Sequence, residues 1–157
     1  MTEVKITKIK TSLAKQMAQP GGRTVADIER RANERLDRHR VEVMATVGQR
    51  ITDLEALVAA KTADSAAQVY AVGKGLLDTA GFFDTGPLYE AGYSLCETAD
   101  LMIASNRWQW PSIQVHVHAM RLIFANGCKP DQASDALMVG LRAIVAKARA
   151  EAEAAVG

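Results

Sequence analysis

Apolar residues recur along most of this chain at steps of three and four, the spacing of one face of an α-helix. From Thr24 the stripe runs Ile28, Ala32, Leu36, Val43, Val47, Ile51, Leu54 and Val58. "TVAD" (Thr24–Asp27) supplies a start, with a threonine cap and an acid three residues on. The pattern predicts a first helix to about Lys61, about 55 Å long at 1.5 Å per residue. That exceeds a compact bundle, so one end is expected to project or to pair with another subunit. "TADSAAQ" (Thr62–Gln68) offers caps for a second helix, through Val69, Val72, Leu76 and Ala80 to about Phe83. "DTGP" (Asp84–Pro87) is a turn, with Pro87 at a first helical position. The third helix turns Leu88, Ala91, Leu95 and Leu101 or Met102 inward.

"SNRWQWP" (Ser105–Pro111) connects to a fourth helix over Pro111–Asn126, and one of Trp108 and Trp110 is expected to plug the bundle end. "NG" stops that helix. Pro130 opens a fifth, with the stripe Ala133, Leu137, Leu141, Ile144 and Ala148 and a tail of high helix propensity but little apolar face. Ahead of all this, Val4, Ile6, Ile9 and Leu13 alternate with lysines, and "QPGG" (Gln19–Gly22) breaks the chain. No other strand signal and no fixed-period repeat stand out. The predicted fold is all-α: an up-and-down four-helix bundle with an extra C-terminal helix over residues 23–157, preceded by a basic arm at residues 1–22.

Composition narrows the function classes. The 157 residues are 48% hydrophobic and 24% charged, as in a globular domain with its own core. Residues 1–61 hold 12 Lys/Arg against 8 Asp/Glu, and the remainder holds 7 against 10. The basic excess is too diffuse, and too poor in aromatics, to predict a nucleic-acid partner. No run approaches the ~20 apolar residues of a membrane span, and "MTEVKITKIK" has no apolar core of a secretory signal. A cytoplasmic setting with Cys96 and Cys128 reduced is therefore expected.

One stretch does not fit a plain helix. "GKGLLDTAGFFDTG" (Gly73–Gly86) carries four glycines, each costing about 1 kcal/mol against alanine inside a helix. Extended to Val69–Glu97, this stretch resembles the histidine phosphotransfer (Hpt) family, the intermediate carriers of bacterial phosphorelays. That family's run reads, in outline, A-H-x-[LI]-K-G-x-A-G, a turn, then L-x-x-[AL]-G-x-x-[LI]. Here Leu76, Ala80-Gly81, Leu88, Ala91, Gly92 and Leu95 match it. The chain looks closest to a small alphaproteobacterial branch found with chemotaxis genes. "GFF" (Gly81–Phe83), "SLC" (Ser94–Cys96) and "HVHAMRLI" (His116–Ile123) stand where that branch has similar runs, and the resemblance covers most of the chain.

The departures bear on activity. Where the family carries its phospho-accepting histidine this chain has Lys74. Leu77 replaces a lysine and Asp78 a glycine. A lysine amine is ordinarily protonated near neutral pH and is not a histidine-like nucleophile. Asp78 would repel phosphoryl oxygens that the missing lysine would have neutralised. The resemblance thus implies a pseudo-phosphotransferase. A response-regulator receiver domain, or a histidine kinase, would dock on the face around Gly73, Lys74, Gly75, Leu77, Asp78 and Gly81, with Lys74 reaching an acidic cluster of the receiver. No cofactor is expected.

Plainer readings stand beside this one. Gly73 and Gly75 also suit close helix packing, and Lys74 a solvated face. Gly81 and Gly92 suit packing or a turn. His39 reads as a boundary residue, His116 as a partly buried hydrogen-bonded one and His118 as solvent-facing. Any of the three is the acceptor only if phosphotransfer has moved. Glu90, Glu97 and Asp100 read as a solvated face and lack the Glu-x-x-His spacing of a di-iron bundle, so no metal site is predicted. A phosphate-cradling loop, a nucleophile elbow and a Cys/His signature are missing from the sequence. A scaffold homodimer formed through the long first helix is the alternative function, and a phosphocarrier using His39, His116 or His118 a further one.

Overall fold

The computed structural model describes residues 24–156 except Ala63 and Asp84. The described residues are all-α: α1 (Val25–Ala60), α2 (Ser65–Ala80), α3 (Pro87–Ala104), α4 (Trp110–Ala125) and α5 (Gln132–Val156). The predicted arm at residues 1–22 lies outside them. No helix among them is long and apolar enough to cross a membrane.

The helix ends follow local chemistry. Thr24 Oγ1 accepts the Asp27 N–H at 3.2 Å and donates to the Asp27 carboxylate at 2.8 Å, starting α1. Lys61, with φ of 50°, ends it. α2 stops at Ala80, short of the predicted Phe83: the Gly81 N–H makes the last α-helical bond, to Leu77 O at 2.9 Å, and the Phe83 N–H turns to Ala80 O at 3.2 Å. Pro87 begins α3 as predicted. α4 begins and ends one residue earlier than predicted. α5 starts at Gln132 on a reciprocal cap: the Ser134 N–H donates to Asp131 Oδ1 at 2.7 Å and the Asp131 N–H to Ser134 Oγ at 2.9 Å.

The chain divides into two units, Met1–His39 and Arg40–Gly157. In the first, the described residues are exposed apart from Asp27, which is half-buried. Arg30 pairs within the helix with Glu34 at 2.8 Å and Asp27 at 3.7 Å, contacts worth a few tenths of a kcal/mol each, at about 0.3 to 0.5. So Ile28, Ala32 and Leu36, predicted to share one stripe with Val47 and Ile51, are not buried with them.

The second unit holds the core. Val47, Ile51, Leu54 and Val58 of α1 join Val69, Leu76 and Ala80 of α2, Leu88, Ala91, Leu95, Ala99 and Met102 of α3, and Ile113, Val117, Met120 and Ile123 of α4. α3 packs against α2, α4 and α5, and α4 also meets α5. The Arg121 guanidinium of α4 reaches the Glu55 carboxylate of α1 at 2.5 and 2.8 Å, and Phe124 packs on Gly48. α5 differs from its predicted stripe. Its buried positions are Ser134, Met138, Leu141, Val145 and Ala148, while Ala133 is exposed and Leu137 and Ile144 are half-buried. Two neighbouring stripes share Leu141 and Ala148, and the contact with α3 selects the one containing Met138 and Val145. Trp108 and Trp110 meet edge to face, centroids 5.4 Å apart, both half-buried against the core.

Candidate functional site

Lys74 is the tenth of sixteen residues in α2 and is exposed. Residues one, four and seven positions away turn inward or outward by 100° steps, and the structure sorts them accordingly. Gly73 is buried and Gly75 half-buried, Leu77 is half-buried, and Asp78 and Gly81 are exposed. The predicted docking residues therefore do not form one surface. Lys74, Asp78 and Gly81 face outward, and Gly73 faces α3.

The two glycines flanking Lys74 answer to different neighbours. A Cβ on Gly73 would sit 3.1 Å from Cys96 Sγ and 3.5 Å from Leu95 Cδ2. A Cβ on Gly92 of α3 would meet Leu77 and Leu76 Cδ2 at 3.2 and 3.3 Å. These reciprocal notches bring the α2 and α3 backbones close together. Gly75 lies instead beneath the Arg50 guanidinium of α1, whose Nε is buried with no hydrogen-bond partner among the described residues. The glycine run is thus needed for packing on both sides of α2, and Lys74 occupies the rib between them.

Beside Lys74, a shallow groove of about 330 Å³ separates α2 from α3. Tyr70 and Leu77 line one wall, Tyr93, Cys96 and Asp100 the other, and Lys74 is the only cation among its described lining residues. The Cys96 thiol is pushed up to about 11, by burial first and by Asp78 second, with Lys74 opposing. At neutral pH it is a neutral packing group, not a nucleophile. Tyr93, 60% exposed, and Glu97 are shared with a second groove of about 520 Å³ between α3 and α5. Two ion pairs cross that groove, Glu90 with Arg142 at 3.5 Å and Glu97 with Arg149. Glu90 and Glu97 are accordingly bridged to α5: Glu90 is still exposed, as a solvated face requires, and Glu97 is half-buried. The sequence pattern gave no site role to Tyr70 or Tyr93, and Cys96 entered only as a reduced thiol and part of a matching run. The usable signal was the pair of tyrosines Tyr89 and Tyr93, one turn apart on the polar side of α3.

His116 and His118 do not line Lys74's groove. His116 is fully buried. Its Nδ1 donates to Ser112 O at 2.8 Å, so Nε2 is the acceptor, taking the Ser94 hydroxyl at 3.0 Å and the Thr98 hydroxyl at 3.4 Å. Burial holds it below its usual range and therefore neutral. Both ring nitrogens are engaged, which leaves neither to receive a phosphoryl group. His118 is exposed on α4, beside Glu55, and lines a small groove with Gln114 and Lys61. Arg121 holds the Glu55 carboxyl below its usual range, against a smaller opposing effect of burial. His39 is exposed on α1, in the first unit. No cluster of three or more His, Cys, Asp and Glu among the described residues is placed to hold a metal ion.

Comparison with known proteins returns no match among family models, curated proteins or solved structures.

Proposed function

We propose that this chain is an Hpt-like protein of two-component or chemotaxis signalling that binds a receiver domain through the α2 face around Lys74 and relays no phosphate. The observation that carries this reading is the placement of Lys74. It stands exposed in the middle of α2, at the position where the resembled family has its reactive histidine, above a groove with no other cation among its described lining residues. The neighbouring contacts are compatible with the up-and-down order that the resemblance implies. The second half of α1 touches α2 through Arg50 and Gly75, α2 packs on α3, α3 on α4, and α4 returns to α1 through Arg121 and Glu55. α5 is then the extra helix, laid along α3 and α4.

On this reading the docking surface differs from the one the sequence pattern implied. It comprises Lys74, Asp78 and Gly81 on α2 with Tyr70, Tyr93 and Asp100 at the groove. Gly73 and Gly75 shape it from beneath. Lys74 supplies the charge that an acidic receiver pocket recognises, and such contacts govern partner choice and encounter rate more than raw affinity. The protein would compete with working carriers for their receivers. Phosphotransfer tests the second half of the reading. A receiver carrying labelled phosphate is mixed with the chain, and the label is expected to remain on the receiver. Acid-labile label moving to the chain, and lost on His118→Gln or His39→Gln, would establish a relocated acceptor instead.

A further inference from the structure

Three threonine hydroxyls inside the helices bond back along their own helix. Thr46, Thr52 and Thr79 donate to the carbonyl four residues earlier, at 3.1, 3.1 and 2.8 Å. Ser94 of α3 is turned away from that pattern. Its Oγ reaches across to α4 and lies 3.0 Å from His116 Nε2. Thr98, one turn on, makes a longer contact of 3.4 Å with the same nitrogen. The far side of the ring fixes the direction of the proton. Ser112 O can only accept, so His116 Nδ1 carries the hydrogen and Nε2 presents its lone pair. The Ser94 hydroxyl therefore donates. A hydroxyl, an imidazole able to take its proton and a third group holding the ring are the parts of an activated nucleophile.

Place in the fold separates Ser94 from Thr98. Thr98 is fully buried, whereas Ser94 lines the groove of about 520 Å³ between α3 and α5. That volume falls in the range of small-molecule sites. Tyr89, Tyr93, Met138, Val145 and Ala146 give it aromatic and apolar walls. The Glu90–Arg142 and Glu97–Arg149 bridges cross it two helical turns apart, about 10 Å at 1.5 Å per residue. Ser94 lies between them, in a window that admits a ring or a short alkyl chain. His116 has no exposed surface, so a molecule in the groove meets the serine and not the base. Ser94 is the eighth of eighteen residues in α3, where the helix takes up the backbone N–H groups. With no backbone oxyanion hole beside it, the serine suits only acyl groups that carry a good leaving group.

We propose that Ser94 and His116 are a nucleophile and its base opening on the α3–α5 groove, where Ser94 takes the acyl group of an activated ester of a small apolar acid. Ser94 Oγ bonds to the carbonyl carbon as its proton passes to His116 Nε2. The bond from that carbon to the leaving oxygen then breaks, and the leaving alcoholate takes the proton from Nε2. The products are an acyl-serine and an alcohol. The inference does not depend on receiver binding.

The full chain mixed with p-nitrophenyl butyrate tests it. The expected result is a burst of p-nitrophenolate stoichiometric with the chain, a mass increase of one butyryl group, and that group on Ser94 in peptide mapping. His116→Gln should slow the acylation of Ser94 about a hundredfold, the low end of what a positioned base supplies. Ala146→Trp fills the groove from an exposed position and leaves the pair untouched. It should slow the acylation about tenfold by displacing the ester, at an unaltered unfolding temperature. This second variant decides the matter where His116→Gln does not fold. No acylation, a butyryl group on lysines or the N-terminus alone, or Ser94 acylated at the wild-type rate in folded His116→Gln or Ala146→Trp would each overturn the inference.

Discussion

Replacing Gly73 with alanine separates a glycine kept for packing from one kept for a partner. In the open middle of a helix the change is stabilising by about 1 kcal/mol, through backbone entropy. At Gly73 the added Cβ arrives 3.1 Å from Cys96 Sγ, so the thiol must move by a few tenths of an ångström. Cys96 is half-buried between helices and its neighbour Leu95 is in the core. Overpacking of this kind costs about 1 to 3 kcal/mol. The two effects nearly cancel or leave Gly73→Ala destabilising by up to about 2 kcal/mol. Cys96→Ala removes the sulfur, and in that background Gly73→Ala should recover most of the helix-propensity gain, about 0.5 to 1 kcal/mol. Urea unfolding of the four proteins gives the coupling, expected at about 1 kcal/mol or more for side chains in contact. A Gly73→Ala protein stabilised by the full propensity gain while Cys96 is present would refute the close approach of α2 and α3 at this point. Receiver binding should be indifferent to Gly73→Ala wherever the protein stays folded.

Two further expectations concern titration. His116 is held neutral by burial, so its folded pKa lies below the unfolded value of about 6.5. Above that pH neither state binds the proton. Below it the unfolded chain takes up a proton that the folded chain refuses, and stability falls by up to about 1.4 kcal/mol per pH unit until the folded pKa is reached. Urea midpoints measured from pH 7.5 down to 5 should show this slope, and His116→Gln should flatten it. An unchanged slope would assign the acid sensitivity to other groups. Cys96, raised to about 11, should react with iodoacetamide far more slowly than an unperturbed thiol at pH 8. Brisk alkylation of Cys96 in the folded protein would contradict its placement between α2 and α3.

The helices were legible because their signals are local. Thr24 with Asp27, Pro87 and the Asn126-Gly127 stop mark ends that depend on a few neighbouring residues. The α3 face of Leu88, Ala91 and Leu95 follows from spacing alone, while the choice between Leu101 and Met102, of which Met102 is the buried one, does not. What spacing does not carry is which of two adjacent stripes a helix buries. In α5, Leu137 and Ile144 read as well as Met138 and Val145, and contact with α3 decides between them. Likewise the α1 stripe reads as continuous, yet only its second half is in the core, because burial depends on which other helices come alongside. At the site, the exposure of Lys74 was readable from the wheel. The role of the glycines was not, since Cys96 lies 23 positions from Gly73 in sequence and Arg50 comes from a different helix. The bridges from Glu90 and Glu97 to Arg142 and Arg149 are likewise separated by 52 residues.

Titration of the chain with receiver domains from the same cell, by calorimetry, addresses the central claim most directly. The wild-type chain is expected to bind one of them without taking up phosphate. Lys74→Glu makes the charged lining of the groove wholly acidic and should weaken that binding by about tenfold or more, an effect that salt reduces. An affinity unchanged by Lys74→Glu would contradict the account and place any receiver contact elsewhere on the molecule.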